Sequence, residues 1–262
     1  MNKSKSLKRY VGRGKRLFFQ GKYEKALECF EKAKIKSPEN AKIYNHIANV
    51  YFVINPERAI AIYSKAIELK ADFVNAYMAR AILYACFMNN CQKEAEKDYT
   101  MALKYAPNNY KLYHYRGEFY SSCEKYDLSI KDFSCAIKLK PNKFMLYILR
   151  GRDYLQQKEY IKAMQDFLVA LNTDILHEKM DAYLNLGKTY YLLADYEKAL
   201  ETYTRCLNDM KLQIVQDEKF AKIYKYRSEV YAKLGEKENA EADLKIVSEI
   251  KCKNENNDFV CF

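Results

Sequence analysis

The sequence has few of the residues that interrupt a helix. Only 7 of its 262 residues are glycine and 4 are proline. Both residue types weaken or end helices, so their scarcity leaves long stretches that can stay helical. Apolar residues make up 49% of the chain and charged residues 30%, which suffices for both a core and a solvated surface. These proportions predict an all-α protein.

Long apolar runs are also missing. The apolar stretches are a few residues long, whereas a helix that crosses a bilayer needs about 20 apolar residues. The basic start, MNKSKSLKRYVGRGKRLFF, lacks the apolar stretch of about 7–15 residues that marks a secretion signal. We therefore expect no membrane insertion and a cytoplasmic location.

Residues that hold metals or carry out catalysis are sparse. The 8 cysteines include no C-x-x-C pair, and none of the 3 histidines lies beside a cysteine at metal-ligand spacing. We expect the cysteines to be reduced and mostly packed. The sequence shows no nucleophile–base pair, no paired carboxylates and no glycine-rich phosphate loop. It therefore predicts a protein that is not an enzyme and that uses no cofactor and no metal.

Positive charge is in excess, with a formal net charge of +11, and part of it lies at the start of the chain. The first acidic residue is Glu24, and it follows a basic segment that contains Lys3, Lys5, Lys8, Arg9, Arg13, Lys15 and Arg16. Such a segment suits an acidic partner or a nucleic acid. A flexible tail or a solvated helix face is the alternative interpretation.

One residue pattern recurs along the chain. GKYEKALECFEKAKIKSPEN at 21–40 is followed by similar segments at 124–142, 158–172 and 195–209. Aromatic and small residues alternate in each at spacings of three and four, which places them on one face of a helix. Another helix precedes each segment, with a tyrosine and usually a glycine four residues later, as in YHYRGEFY at 113–120. The repeating unit is a pair of helices of about 34 residues.

This pattern resembles the tetratricopeptide repeat (TPR) family, in which aromatic, Leu-Gly, Tyr, Ala and Pro residues stand at fixed offsets. In a 34-residue frame the fourth position of every repeat is tyrosine: Tyr10, Tyr44, Tyr77, Tyr113, Tyr147, Tyr183 and Tyr224. Six of the seven glycines fall where helices approach closely or turn. The resemblance implies an all-α, right-handed α–α superhelical solenoid of about seven TPR helix pairs, with the first helices lining a concave groove.

The frame predicts repeats at residues 7–40, 41–73, 74–109, 110–143, 144–177, 180–213 and 221–254. A basic N-terminal tail at 1–6 and a C-terminal tail at 255–262 flank the solenoid. The apolar end of the C-terminal tail suggests folding onto the last repeat or entry into a neighbour's groove, which would give a weak homodimer. A monomer with a disordered tail is the alternative.

Some repeats depart from the frame, and these departures predict altered connections. Repeat two is one residue short, and Pro56 replaces its turn. Extra residues occur near Asn89–Cys91, near Leu176–Glu178 and across Asp209–Phe220.

Arginines recur immediately before the small residue of the first helix in several repeats: Arg13, Arg80, Arg116, Arg150 and Arg227. We expect their stems to pack along the stack while their guanidinium groups bond a neighbouring turn or a carboxylate at the rim.

The groove of the solenoid should be lined by positions 2, 5, 6, 9, 12 and 13 of each first helix, which the stacking pattern leaves free. The predicted peptide-binding residues are Phe18, Asn45, Asn49, Phe52, Asn75, Lys111, His114, Tyr115, Arg152, Asn185, Lys188, Lys222 and Lys225. They change from apolar to basic along the chain, which suits a peptide with apolar anchors and acidic residues. The predicted function is thus a protein–protein interaction scaffold or adaptor. Ordinary solvated positions are the alternative interpretation.

Two more specific functions fit less well. Some TPR proteins grip a chaperone's C-terminal carboxylate with Lys, Asn, Asn, Lys and Arg spread over three repeats. Repeats five to seven supply Asn185 and Lys222 but have Ile148, Arg152 and Tyr226 at the other positions. Helical repeats that read RNA use polar pairs at fixed positions of each repeat. The residues that line the groove here do not recur from repeat to repeat, which disfavours RNA reading. A nucleic-acid-associated protein that uses its basic surface stays the alternative function.

Overall fold

The computed structural model describes residues 3–87, 91–210 and 218–258, and within these ranges the chain forms fourteen helices and no strand. The helices are α1 (Lys3–Phe19), α2 (Tyr23–Lys36), α3 (Ala41–Ile54), α4 (Pro56–Leu69), α5 (Val74–Phe87), α6 (Gln92–Tyr105), α7 (Tyr110–Ser122), α8 (Tyr126–Leu139), α9 (Phe144–Gln156), α10 (Tyr160–Ala170), α11 (Leu176–Leu192), α12 (Tyr196–Met210), α13 (Glu218–Leu234) and α14 (Lys237–Asp258). The predicted all-α class is confirmed.

The helices pack as successive pairs in two compact units, Met1–Phe119 and Tyr120–Phe262. In the first unit α1 packs on α2, α3 on α4 and α5 on α6, and each pair packs on the next. In the second unit α9 packs on α10, α11 on α12 and α13 on α14 in the same way. Each unit is thus built from stacked helix pairs, as the repeat pattern predicts.

Small and aromatic residues build the core of each unit. In the first unit Ala26 and Ala33 are fully buried beside Phe30, which is 1% exposed. In the second unit Ala163 and Ala170 are fully buried beside Phe167. The alanines allow close approach of the helices and the rings fill the space between them, so each pair buries a face that one helix alone would expose.

Glycine occupies the closest contacts between paired helices. A Cβ atom built on Gly151 would lie 2.6 Å from Cε1 of Phe167, and one on Gly14 would lie 2.6 Å from Cε1 of Phe30. Gly21 and Gly235 serve the turns instead, with φ angles of +71° and +83° that favour glycine. The predicted division of the glycines between close contacts and turns is confirmed at these positions.

Three of the five recurrent arginines, Arg80, Arg150 and Arg227, join three helices each, whereas Arg13 is exposed. Nε and Nη2 of Arg150 donate to the two carboxylate oxygens of Asp166 at 2.8 and 2.7 Å, and Nη1 donates to Oγ of Ser134 at 2.8 Å. Two equivalent clusters exist, Arg80 with Asp98 and Ser64, and Arg227 with Asp243 and Thr204. We expected the arginines to bond a neighbouring turn or a carboxylate at the rim. Their carboxylate partners are instead buried aspartates on the second helix of the same pair.

Pro56 takes the predicted place at the turn of repeat two. It is the first residue of α4, a position where the missing proline N–H is not needed, and Oδ1 of Asn55 caps the helix by accepting from the Arg58 amide at 2.9 Å.

Predicted boundaries and helix bounds differ at three places. α1 begins at Lys3, so residues 3–6 of the predicted tail are helical, and α14 reaches Asp258, so residues 255–258 are helical too. The extra residues near Leu176–Glu178 lengthen α11 instead of forming a loop. The remaining parts of the predicted irregular segments, at 88–90, 211–217 and 259–262, lie outside the described residues.

All seven cysteines in the described ranges are free thiols. Cys29 and Cys206 are buried, whereas Cys86 and Cys252 are exposed, so only some of the thiols are packed as expected.

Candidate functional site

The first unit exposes an apolar wall where α1, α3 and α5 end. α1 lies beside α3, and α3 lies beside α5. Three side chains at these ends are more than half exposed: Phe19 at 84%, Val53 at 51% and Phe87 at 55%. Phe52 packs edge-on against Phe87 with ring centroids 6.3 Å apart. Phe18, Phe19, Phe52, Val53 and Phe87 are called the apolar wall. Exposed apolar side chains that lie together in this way are typical of interaction sites.

A pocket opens beside this wall between α1 and α3. It has a volume of about 250 Å³ and is lined by Lys15, Phe18, Phe19, Phe30, His46 and Asn49. The buried Phe30 ring stacks on the His46 ring with centroids 5.3 Å apart and an interplanar angle of 21°. This α1–α3 pocket is large enough for one apolar side chain of a ligand.

The polar groups of the α1–α3 pocket are mostly neutral. Burial, reinforced by the nearby Lys15 and Lys42 ammonium groups, lowers the pKa of His46 to about 4, so this imidazole is uncharged at neutral pH. The Tyr63 hydroxyl donates to Oδ1 of Asn49 at 2.7 Å, and burial raises the pKa of Tyr63, which keeps that donor protonated. The Asn49 amide nitrogen can then donate to a ligand, and Lys15 is the one charged side chain of the lining.

The structure brings Phe18 and Asn49 together in this pocket but places the other predicted residues of the first unit elsewhere. Asn45 is only 8% exposed, and its Oδ1 has no hydrogen-bond partner among the described residues. Asn75 and Lys111 are exposed near the starts of α5 and α7.

His114 and Tyr115, also among the predicted residues, lie against each other on α7. Their ring centroids are 5.2 Å apart, and the rings are stacked. Nε2 of His114 lies 3.5 Å from Oε2 of Glu118. The pair is therefore engaged within its own helix and offers a flat, half-buried surface.

The second unit presents a basic wall, formed by Arg152, Lys188, Lys219, Lys222 and Lys225 on α9, α11 and α13. Asp181 joins two of them: its carboxylate lies 3.4 Å from Nη2 of Arg152 and 2.9 Å from Nζ of Lys219. Lys188, Lys222 and Lys225 are exposed. The wall therefore has a surplus of positive charge.

Asn185, predicted to bind a ligand in this region, bonds within its own helix. Its Nδ2 donates to the backbone oxygen of Asp181 at 2.6 Å. The side-chain oxygen is left as the group that a ligand could use.

The predicted set omits eight residues that these surfaces contain: Lys15, Phe19, Phe30, His46, Val53, Phe87, Asp181 and Lys219. Phe19, His46 and Val53 occupy groove positions 13, 6 and 13 of their repeats. Lys15 and Asp181 occupy positions nine and two of their repeats, so the positional rule includes them. Phe87 lies one residue beyond position 13, where the frame alone gives no signal.

Metal-ligand clusters and membrane-spanning helices are absent from the part of the chain that the structure describes. No group of three or more His, Cys, Asp or Glu side chains in the described part of the chain could hold a metal ion. None of the described helices combines the length and hydropathy needed to cross a bilayer.

Comparisons with known proteins agree with the geometry. A family model described as a TPR repeat matches residues 14–53, and one described as a tetratricopeptide repeat matches residues 181–208. RNA polymerase II-associated protein 3 of Homo sapiens is 31% identical over 99 residues, which are 37% of this chain and 15% of that protein. Hsp70-Hsp90 organizing protein of Triticum aestivum is 31% identical over 102 residues, which are 38% of this chain and 17% of that protein. The match thus spans less than a fifth of the length of these relatives.

Solved structures share the fold over more of the chain. The C-terminal part of a TPR repeat-containing protein from Cytophaga hutchinsonii superposes with a TM-score of 0.75 at 17% identity, covering 92% of this chain and 95% of that one. YrrB, described as a TPR protein with an unusual peptide-binding site, superposes with a TM-score of 0.59 at 27% identity, covering 71% of this chain and 95% of that one.

Proposed function

Since the chain is a tetratricopeptide repeat protein, we propose that it is a non-catalytic adaptor that holds a peptide segment of a partner protein. The peptide lies on the first unit, along the apolar wall, with one side chain in the α1–α3 pocket. The similarity to YrrB, a TPR protein with an unusual peptide-binding site, supports this proposal.

One observation carries the proposal: the α1–α3 pocket adjoins an aromatic side chain that is 84% exposed. Burying a phenylalanine side chain is more favourable than leaving it in water by about 1.5–3 kcal/mol. A partner that covers Phe19 regains this energy, and the adjacent pocket gives its own apolar side chain a place to enter.

The lining defines the chemistry of the ligand. The rings of Phe18 and Phe30, together with the neutral imidazole of His46, suit an aromatic or large aliphatic anchor. Asn49 can donate to a peptide carbonyl, and Lys15 can pair with a carboxylate next to the anchor. The ligand is therefore a peptide with an apolar anchor flanked by an acidic residue.

The basic wall of the second unit supports an acidic partner as well. Lys188, Lys222 and Lys225 are exposed cations that would attract further carboxylates of the same partner or of another one. A cytoplasmic adaptor that binds acidic, anchor-containing segments is the function that we propose.

The test begins with peptides selected by display on the full chain, whose affinities are then measured by isothermal titration calorimetry. Phe19→Ala should lower the affinity for the selected peptides about tenfold or more, and a tenfold loss corresponds to about 1.4 kcal/mol of binding free energy. Ile35→Ala is the matched control, because Ile35 is another exposed apolar side chain, 75% exposed on α2 and outside the wall. Equal affinities in both variants would place the peptide site away from the apolar wall.

A further inference from the structure

The outer face of α1 carries an open concavity whose lining is almost wholly basic. Its volume is about 450 Å³, and the lining residues are Lys8, Arg9, Gly12, Arg13 and Arg16. Lys5 is exposed one turn earlier on the same side. α1 contains no acidic residue. Lys5, Lys8, Arg9, Arg13 and Arg16 are called the α1 basic face.

The cations of this face make few contacts inside the protein: the Arg9 guanidinium lies 6.0 Å from the centroid of the Tyr10 ring. None of them forms an ion pair with an acidic residue in the described ranges, and all five are exposed. Arg80, Arg150 and Arg227 differ, because each is bound to a buried aspartate. The charge of the α1 basic face is thus available to a ligand.

Gly12 lies at the centre of the concavity without a packing role. A Cβ atom at Gly12 would meet nothing within 4 Å, whereas one at Gly14 would collide with Phe30. Glycine within a helix costs about 1 kcal/mol relative to alanine, and no contact at Gly12 offsets that cost. The missing side chain lets an anionic group approach the helix between the cations.

We propose that the α1 basic face binds the phosphodiester backbone of a single-stranded nucleic acid. The cations recur on each helical turn, about every 5.4 Å over about 16 Å from Lys5 to Arg16, so they can meet several successive phosphates. The exposed ring of Phe19, at the end of the same helix, offers a base a surface for stacking.

A membrane surface fits these observations less well. The apolar side of α1 packs against its own repeat: Leu17 is 8% exposed, and Leu7 and Val11 pack in the same cluster. This side cannot enter a bilayer, and attraction to lipid headgroups would rest on charge alone.

The proposal is tested by fluorescence anisotropy with labelled oligo(U) and oligo(dT) of about 12 nucleotides on the full chain. Binding should weaken steeply with salt, and four contacts give a log–log slope of about −3. Arg9→Glu/Arg13→Glu should weaken binding at least tenfold and flatten this slope. Lys131→Glu/Lys138→Glu alters the net charge equally at exposed sites on α8 and should change affinity less than threefold. A higher affinity for oligo(U) would identify RNA as the nucleic acid that this face binds, and a higher affinity for oligo(dT) would identify DNA.

Gly12 gives a second test that leaves all native cations in place. Gly12→Glu should weaken oligonucleotide binding at least fivefold. Gly12→Ala should weaken it less than twofold, because its single methyl group is uncharged and leaves most of the space between the cations open. Urea denaturation checks that every variant folds.

Three results would overturn the proposal: no binding of either oligonucleotide at low salt, equal losses in the two double variants, or binding only to vesicles containing phosphatidylserine or only to polyglutamate. The proposed peptide site shares Phe19 with this proposed nucleic-acid site, so the arginine variants, and not Phe19→Ala, separate the two proposals. Arg9→Glu/Arg13→Glu should keep affinity for the selected peptides within about threefold, whereas Phe19→Ala should not.

Discussion

At the scale of single residues, Gly151 shows how little space separates the two helices of a repeat. A Cβ atom there would lie 2.6 Å from Cε1 and 2.9 Å from Cζ of Phe167, and that ring is fully buried, so it cannot swing away. We expect Gly151→Ala to lower the free energy of unfolding by about 1–3 kcal/mol through overpacking. Urea denaturation measures the change.

Gly12→Ala is the control for this substitution, because the added methyl group meets no atom within 4 Å. Alanine favours the helix over glycine, so this variant should be unchanged or more stable by up to about 1 kcal/mol. A Gly151→Ala variant as stable as Gly12→Ala would contradict the close contact.

His46 makes a second residue-scale prediction, on acid sensitivity. Its pKa is lowered from 6.5 to about 4 in the folded protein. Between these values the unfolded chain binds a proton that the folded chain does not, so the contribution of His46 to stability falls as the pH drops from 6.5 towards 4. His46→Phe keeps a ring stacked on Phe30 and cannot titrate.

The midpoints of urea unfolding at pH 7 and pH 4.5 measure this effect. Because His46 is half-buried and solvent screens part of the interaction, we expect wild type to lose about 1–2 kcal/mol more than His46→Phe between the two pH values. Equal losses would mean that His46 is not the source of acid sensitivity.

Residue roles that depend on the repeat frame could be predicted from the sequence. Gly14 and Gly151 occupy the position that the family keeps small, and their contacts confirm it. The low pKa of His46 could not be predicted, because it follows mainly from burial of the ring and from Lys15, which is distant from His46 in the sequence. Lys42, one turn earlier on α3, is the only contribution visible in the sequence.

At the scale of helices, the clusters around Arg80, Arg150 and Arg227 connect each first helix with two second helices. Asp166 and Asp243 stand 16 residues after their arginines, whereas Asp98 stands 18 after Arg80. The difference of two matches the extra residues that the frame places in repeat three. This spacing is visible in the sequence once the contact is known, but it does not by itself show that the aspartate is buried.

The Arg150–Asp166 pair gives an element-scale prediction. Burial raises the pKa of the Asp166 carboxyl in spite of the guanidinium beside it, which indicates a substantial desolvation penalty. Removing one partner leaves the other charge buried, so Arg150→Met or Asp166→Leu alone should each destabilise by about 3 kcal/mol. The double variant Arg150→Met/Asp166→Leu should recover most of this loss.

A double-mutant cycle of unfolding free energies measures the coupling between the two residues. The control is the exposed pair Lys162–Glu159, whose charged atoms lie 2.7 Å apart at the start of α10. Because solvent screens this pair, its coupling should be much weaker than that of the buried pair. Additive losses for Arg150 and Asp166 would show that the arginine acts through packing alone.

At the scale of the whole molecule, the sequence predicted the all-α class and the helix pairs, because each repeat carries the same local pattern. The candidate site was predicted only in part. The frame indicated that Phe18 and Asn49 face the groove, but the α1–α3 pocket depends on how Phe30 and His46 stack, and that is a property of packed side chains. The frame likewise could not indicate that Asn185 bonds its own helix.

The net charge of +11 creates a long-range electrostatic field that affects the rate at which charged partners associate. A positive field speeds the approach of acidic peptides, and salt screens it over about 8–10 Å at physiological strength. Anchoring in the α1–α3 pocket is mainly apolar and should respond little to salt. We therefore expect added salt to slow association of the selected acidic peptides while dissociation rates stay nearly constant.

Stopped-flow fluorescence between 20 and 300 mM NaCl tests this expectation, with each selected peptide compared with a version whose Asp and Glu residues are changed to Asn and Gln. The association rate of the acidic peptide should fall at least fivefold, and that of the neutral version less than twofold, because only the charged peptide is steered. A salt effect on dissociation instead would mean that ion pairs, and not the apolar wall, hold the bound peptide.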